Sequence, residues 1–177
     1  MGLKNIAIEE LTAAVVGLWD RQWLLLTAGD FVARDFNCMT VSWGSLGCMW
    51  NKPFAQVVVR PTRHTHGFTE RFESFTLAAF PAEYKDALLL LGSKSGRDGD
   101  KIKEAGLTPI AAERVAAPGY AEAELILECR KIYWQDFVPA QFLDPAIEAQ
   151  YPRKDYHRIY FGEIVLARGT DKYRGRR

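Results

Sequence analysis

Neither sign of charge prevails in this 177-residue sequence, where 23 Lys and Arg stand against 22 Asp and Glu. No global field therefore draws the chain to nucleic acid or to an anionic lipid surface, and any anion site has to be built locally. Cysteine is scarce. Cys38, Cys48 and Cys129 are odd in number and include no Cys-x-x-Cys pair, which argues against a disulfide scaffold and suits a reducing compartment. No uninterrupted run of about 18 apolar residues is present to span a bilayer, and no basic stretch followed by an apolar run opens the chain. The expectation is a cytoplasmic protein with no membrane partner.

Several catalytic signatures are missing as well. There is no Gly-x-Gly-x-x-Gly after a strand and no Gly-x-x-x-x-Gly-Lys-Ser/Thr, so a dinucleotide fold and a P-loop lack support. Ser45 lies in Trp43-Gly44-Ser45-Leu46-Gly47 rather than in the Gly-x-Ser-x-Gly elbow of a serine nucleophile. His64 and His66 have no Cys or carboxylate neighbours at ligand spacing, and no metal is expected. Cys38 and Cys48 read as small buried hydrophobes.

What is present is a chain 48% hydrophobic, long enough to bury one full core, and it reads as a single domain over residues 1–177. Ile8, Leu11, Val15, Leu18 and Trp19 recur at helical spacing, which predicts a short amphipathic opening segment within an N-terminal extension of about 20 residues. Apolar or β-rich runs predict strands at Trp23 to Ala28, Asn37 to Trp43, Phe54 to Arg60, Ser74 to Phe80, Glu124 to Phe137 and Arg158 to Ala167. Pro61 and Pro81 stop two of them. Short helices are expected at His64 to Phe72 and Glu83 to Leu91. About six strands at irregular spacing point to a mainly β barrel with short helices rather than to an alternating βαβ sheet. The tail Lys172-Tyr173-Arg174-Gly175-Arg176-Arg177, in a basic stretch from about residue 168, reads as a solvated end.

Three constellations could carry chemistry. Arg60-Pro61-Thr62-Arg63-His64-Thr65 follows a buried strand and precedes a helix, so two guanidiniums, a hydroxyl and helix N-terminal amides suit a phosphate monoester, although a capped turn with solvated arginines has the same spacing. Ser93 to Lys101 is a polar loop with two glycines, able to wrap a ligand with backbone amides or to serve as a plain connection. In the third, Asn37 to Gly47, Cys38, Thr40 and Ser42 share one face of the strand and Asn37, Met39, Val41 and Trp43 the other. Its hydroxyls need partners, from a polar planar ligand or from water.

Together these segments, with Lys52-Pro53 and His157-Arg158-Ile159-Tyr160-Phe161-Gly162-Glu163-Ile164, resemble the flavin reductase-like, FMN-binding split-barrel family, including its flavoredoxin-type members, over about Trp23 to Leu166. The resemblance implies a Greek-key split β-barrel, homodimeric, with FMN near the subunit interface. Arg60, Arg63, His64 and Thr65 would then surround the phosphate and ribityl tail. Asn37, Met39, Thr40, Ser42 and Trp43 would lie along the isoalloxazine, with Ser95, Gly96, Asp98 and Lys101 closing over the cofactor. His157 resembles a family histidine near the flavin face and is the one candidate for a catalytic role. The implied activity is reduction of flavin or a small acceptor with NADH or NADPH as transient hydride donor, the alternative being a noncatalytic electron carrier that exchanges electrons with a protein.

Overall fold

The computed structural model describes residues 2–175. After β1 (Lys4–Ile6) come a 3-10 turn at Ile8–Glu10 and a single α-turn, α1 (Val15–Gly17), which runs into a π-turn at Leu18–Gln22. This replaces the amphipathic helix expected from Ile8 to Trp19. The cause lies at the other end of the chain: Leu11 bridges to Arg174 and Thr12 N–H donates to Tyr173 O at 3.0 Å, which holds the segment extended. Only Leu18 and Trp19 of that pattern become fully buried.

Then follow β2 (Leu24–Asp30), β3 (Asp35–Val41), β4 (Gly44–Met49), β5 (Lys52–Val59), α2 (His64–Arg71), β6 (Ser74–Ala79), α3 (Lys85–Ser93) and the short α4 (Lys101–Glu104). The two-residue strands β7 (Pro109–Ile110) and β8 (Gly119–Tyr120) form a separate ribbon, before the long pair β9 (Leu125–Asp136) and β10 (Arg158–Gly169). All six expected strands are found. Beyond them the sheet contains β1 and the edge strand β4, whose Gly44-Ser45-Leu46-Gly47-Cys48-Met49 is too poor in β-formers to announce itself.

The main sheet runs β3-β2-β6-β9-β10-β5-β4, antiparallel throughout, with β1 added against β10. Its two ends, β3 and β4, are joined by Ser42 and Trp43 alone, so the sheet must roll up until they approach, although no ladder closes them. Alternation distributes the apolar side chains over both faces. Leu24, Leu26, Val57, Val59, Leu77 and Leu127 fill the interior, while Leu25, Ala78 and Ile126 face the layer of Leu88 and Leu91 from α3. β9 carries a bulge beside Lys131: Tyr133 pairs with Phe161 and Lys131 with Gly162, which leaves Ile132 extra.

The C-terminal segment is not a loose end. Tyr173 is buried, its hydroxyl donates to Glu124 at 2.6 Å, and Lys172 pairs with the same carboxylate at 2.5 Å, because an aromatic ring at this position completes the interior layer. Arg176 and Arg177 lie outside the described residues. Cys48 is exposed on the edge strand rather than buried, whereas Cys38 is buried and its thiol is pushed up to about 11 by desolvation. No helix among the described residues is long and apolar enough to cross a membrane.

Candidate functional site

Two hollows meet at Met39, which lines both. The first, of about 130 Å3, is framed by Asn37 of β3, by the β5–α2 turn from Thr62 to Thr65, and by the loop after α3 from Ser93 to Arg97, with Lys101 behind it. Asn37 is buried and its amide donates to Thr65 Oγ1 at 2.8 Å, while Thr65 donates to the Cys38 carbonyl at 3.1 Å. Residues 28 positions apart are thus locked together across the hollow. Gly96 packs so tightly that a Cβ there would come 2.1 Å from Asn37 Oδ1, which requires glycine on that wall.

The first hollow is cationic. Arg63 donates to the Gly92 carbonyl, and burial, then the nearby Arg60, lowers its pKa. Lys101 is buried with its ammonium on the carbonyls of Leu91 and Lys94, each at 3.0 Å, so it ties the end of α3 to the loop and keeps one N–H uncommitted. No side chain caps α2, which leaves its first-turn amides at His64 and Thr65 available to an anion. The His64 ring stands edge-on to Phe68 at 5.2 Å, and desolvation followed by Arg97, Lys101 and Arg71 holds its pKa below 6.5. An anion placed here would meet four cationic or donor groups from three segments of chain.

The second hollow, of about 220 Å3, is lined by Met39, Thr40, Val41, Ser42, Trp43, Val58, Arg60 and His157. Trp43 is 44% exposed, and its ring lies 5.2 Å from that of His157. His157 Nδ1 is 2.8 Å from the Tyr151 hydroxyl, and burial, with Arg60 next in weight, lowers the imidazole to about 4. At neutral pH the ring is therefore uncharged. The Thr40 hydroxyl has found its partner within the protein, the Leu88 carbonyl of α3 at 2.5 Å, so no ligand is needed to satisfy it.

A profile of the flavin reductase like domain matches residues 20–173. The chain belongs to the flavin reductase-like domain family. Among solved structures it resembles an FMN-binding domain of a flavin reductases-like enzyme from Shewanella baltica, with a TM-score of 0.68 and 18% identity over 94% of this chain and 76% of that one. It resembles the flavoredoxin of Methanosarcina acetivorans at 0.66 and 23%, covering 86% and 70%. An NADH:FAD oxidoreductase from Streptomyces globisporus, in complex with NAD and FAD fragments, gives 0.62 and 18%, covering 82% and 73%. At these identities the likeness establishes the fold, the split barrel, whose open ends are β3 and β4 here. Among curated proteins none matches.

Within this flavin reductase-like domain the expected site residues divide unevenly. Asn37, Met39, Arg63, His64, Thr65, Ser95, Gly96 and Lys101 gather around the cationic hollow, and Met39, Thr40, Ser42, Trp43 and His157 around the aromatic one. Two residues depart from expectation. Arg60 lines the aromatic hollow, its guanidinium bonded to Asp155 and to the Gln150 carbonyl, each at 2.8 Å, and lying 4.9 Å above the Tyr151 ring. Asp98 lines neither hollow and is exposed at the end of a 3-10 turn. Arg97 and Val58 line the hollows without having been singled out. Arg97 stands inside the polar loop already noted, and that loop's charge is the signal that points to it.

Proposed function

We propose that this domain binds FMN and is an oxidoreductase that takes a hydride from NADH or NADPH to reduce flavin or another small acceptor, acting as a cytoplasmic homodimer. The observation that carries the proposal is Met39, common to a cationic hollow and an aromatic one. A ligand reaching across it needs a phosphate at one end and a planar ring at the other. FMN has that form, and the residues fit: cations and helix amides for the dianion, Trp43, Val58 and the uncharged His157 beside the ring. Gly96, packed against Asn37 Oδ1, keeps that wall of the cationic hollow closed against Asn37.

In this reading Arg63, the first-turn amides of α2 and the free N–H of Lys101 hold the phosphate. Asn37 and Thr65 are positioning residues that fix the turn from behind. FMN held by these residues would supply the redox chemistry, hydride acceptance and onward electron transfer. No carboxylic acid lines the aromatic hollow and His157 is neutral, so the chain orients and shields rather than donating protons. That feature equally favours a noncatalytic electron carrier as the second reading. A homodimer is supported by the exposed aromatic pair Trp50 and Tyr133, 56% and 42% exposed with their rings 5.9 Å apart.

An absorbance spectrum of the purified protein tests this, taken before and after FMN and then under anaerobic NADPH or NADH. Bleaching of a bound flavin spectrum by either nucleotide supports the enzyme. Reduction only through a protein donor supports the carrier, and failure to take up FMN removes both.

A further inference from the structure

A cavity of about 560 Å3 lies apart from Met39, between the N-terminal turns, the start of α3 and the C-terminal segment. It shares no lining residue with the two hollows, and its volume falls within the range of roughly 300–1,000 Å3 usual for small-molecule sites. Leu18, Phe80 and Leu88 form apolar walls. The polar groups at its back are already satisfied: Gln22 Nε2 donates to the Phe80 carbonyl at 2.9 Å and to Glu124 at 2.5 Å, and Tyr173 also donates to Glu124. A guest with polar atoms along its body would lose its water and gain no partner there.

The lining includes three cations, Arg21, Lys85 and Lys172, and no carboxylate. Lys172 is neutralised by Glu124, and Lys85 donates to the Arg21 carbonyl at 2.5 Å while lying over the Trp23 ring. The Arg21 guanidinium differs from both, having no hydrogen bond or ion pair among the described residues. It folds back across Gly17, where a Cβ would meet its Nη2 at 2.8 Å, and so stays beside the cavity. Next to it the π-turn Leu18–Gln22 ends on Trp23 at φ 66°, a backbone conformation that a bulky residue rarely adopts.

We propose that this cavity binds a monocarboxylate with an apolar body, its carboxylate on Arg21 and its body against Leu18, Phe80 and Leu88. The assignment stands independently of the flavin reading. It rests on an apolar interior with no unmet polar group, and on a single uncommitted cation beside it.

Calorimetric titration of the full chain with sodium decanoate, and with decanol as the uncharged probe of equal length, tests the idea. Saturable one-to-one binding of decanoate is expected, with decanol at least tenfold weaker. Arg21→Gln should lower decanoate affinity tenfold or more and leave decanol unchanged. Ala82→Trp, an exposed position on the cavity lining, should abolish both while the thermal midpoint and FMN uptake hold. No saturable decanoate binding, or equal loss of both probes in Arg21→Gln, would overturn the proposal. So would sedimentation showing that Ala82→Trp splits a dimer, since a second copy would then cover the cavity.

Discussion

Arg60 and Asp155, 95 residues apart, form an ion pair at 2.8 Å, and this pair separates Arg60 from Arg63 three positions later. One guanidinium turns to the loop before β10 and the other to the end of α3. Neighbours in sequence thus serve different walls.

It follows that Arg63→Ala should weaken FMN by ~1.5 to 3 kcal/mol, the range of a charge-assisted hydrogen bond. Arg60→Ala should weaken it less, and should instead raise protease cleavage between residues 138 and 156. Fluorescence titration and limited proteolysis of the two variants read both effects; equal FMN losses would return Arg60 to the phosphate.

Gly96→Ala forces a methyl group against Asn37 Oδ1. Because Asn37 is held by Thr65, the clash cannot relax freely, and a stability loss of about 1–3 kcal/mol is expected from overpacking. Urea denaturation measures it, and FMN affinity should fall in the same variant. An alanine with unchanged stability would show that Asn37 moves aside at no cost.

Trp43 is the most exposed large aromatic beside the second hollow. Its replacement by alanine should change the fluorescence of bound flavin, read as emission intensity at saturating FMN. Identical emission would place the indole away from the ring.

His157 gives a pH dependence with a definite sign. Its pKa is about 4 in the folded chain against 6.5 ordinarily, so between those values the unfolded histidine takes up a proton that the folded one refuses. Its contribution is complete above pH 6.5 and is lost as pH falls toward 4, about 3 kcal/mol in all. His157→Gln should flatten that part of the stability curve, measured by urea denaturation at closely spaced pH values. A slope identical to that of the parent chain would mean the imidazole is protonated in the folded state.

The strands were legible where sequence and environment agree. Val57-Val58-Val59 before Pro61 could hardly be anything but a buried strand, and the turn after it lines the cationic hollow. Local pattern could not show which distant group claims a side chain. The Thr40 hydroxyl called for a partner, from a ligand or from water, and finds one inside the protein at Leu88, 48 residues on. The opening segment had helical spacing, but a backbone bond to Tyr173 overrode it. Tyr173 itself was hidden among basic neighbours that suggest solvent, although the ring belongs to the interior. Each miss is a long-range contact outweighing a local preference.

The two-residue link between β3 and β4 sets a mechanical limit on the molecule. Three Cα steps span at most about 11 Å, so the unzipped gap cannot widen beyond that at the end where Ser42 and Trp43 cross it. Both residues border the aromatic hollow. Beside that hollow the separation of the two sheet ends is therefore set by backbone reach before any side chain is consulted, and inserting residues into the tether would let the ends spread apart.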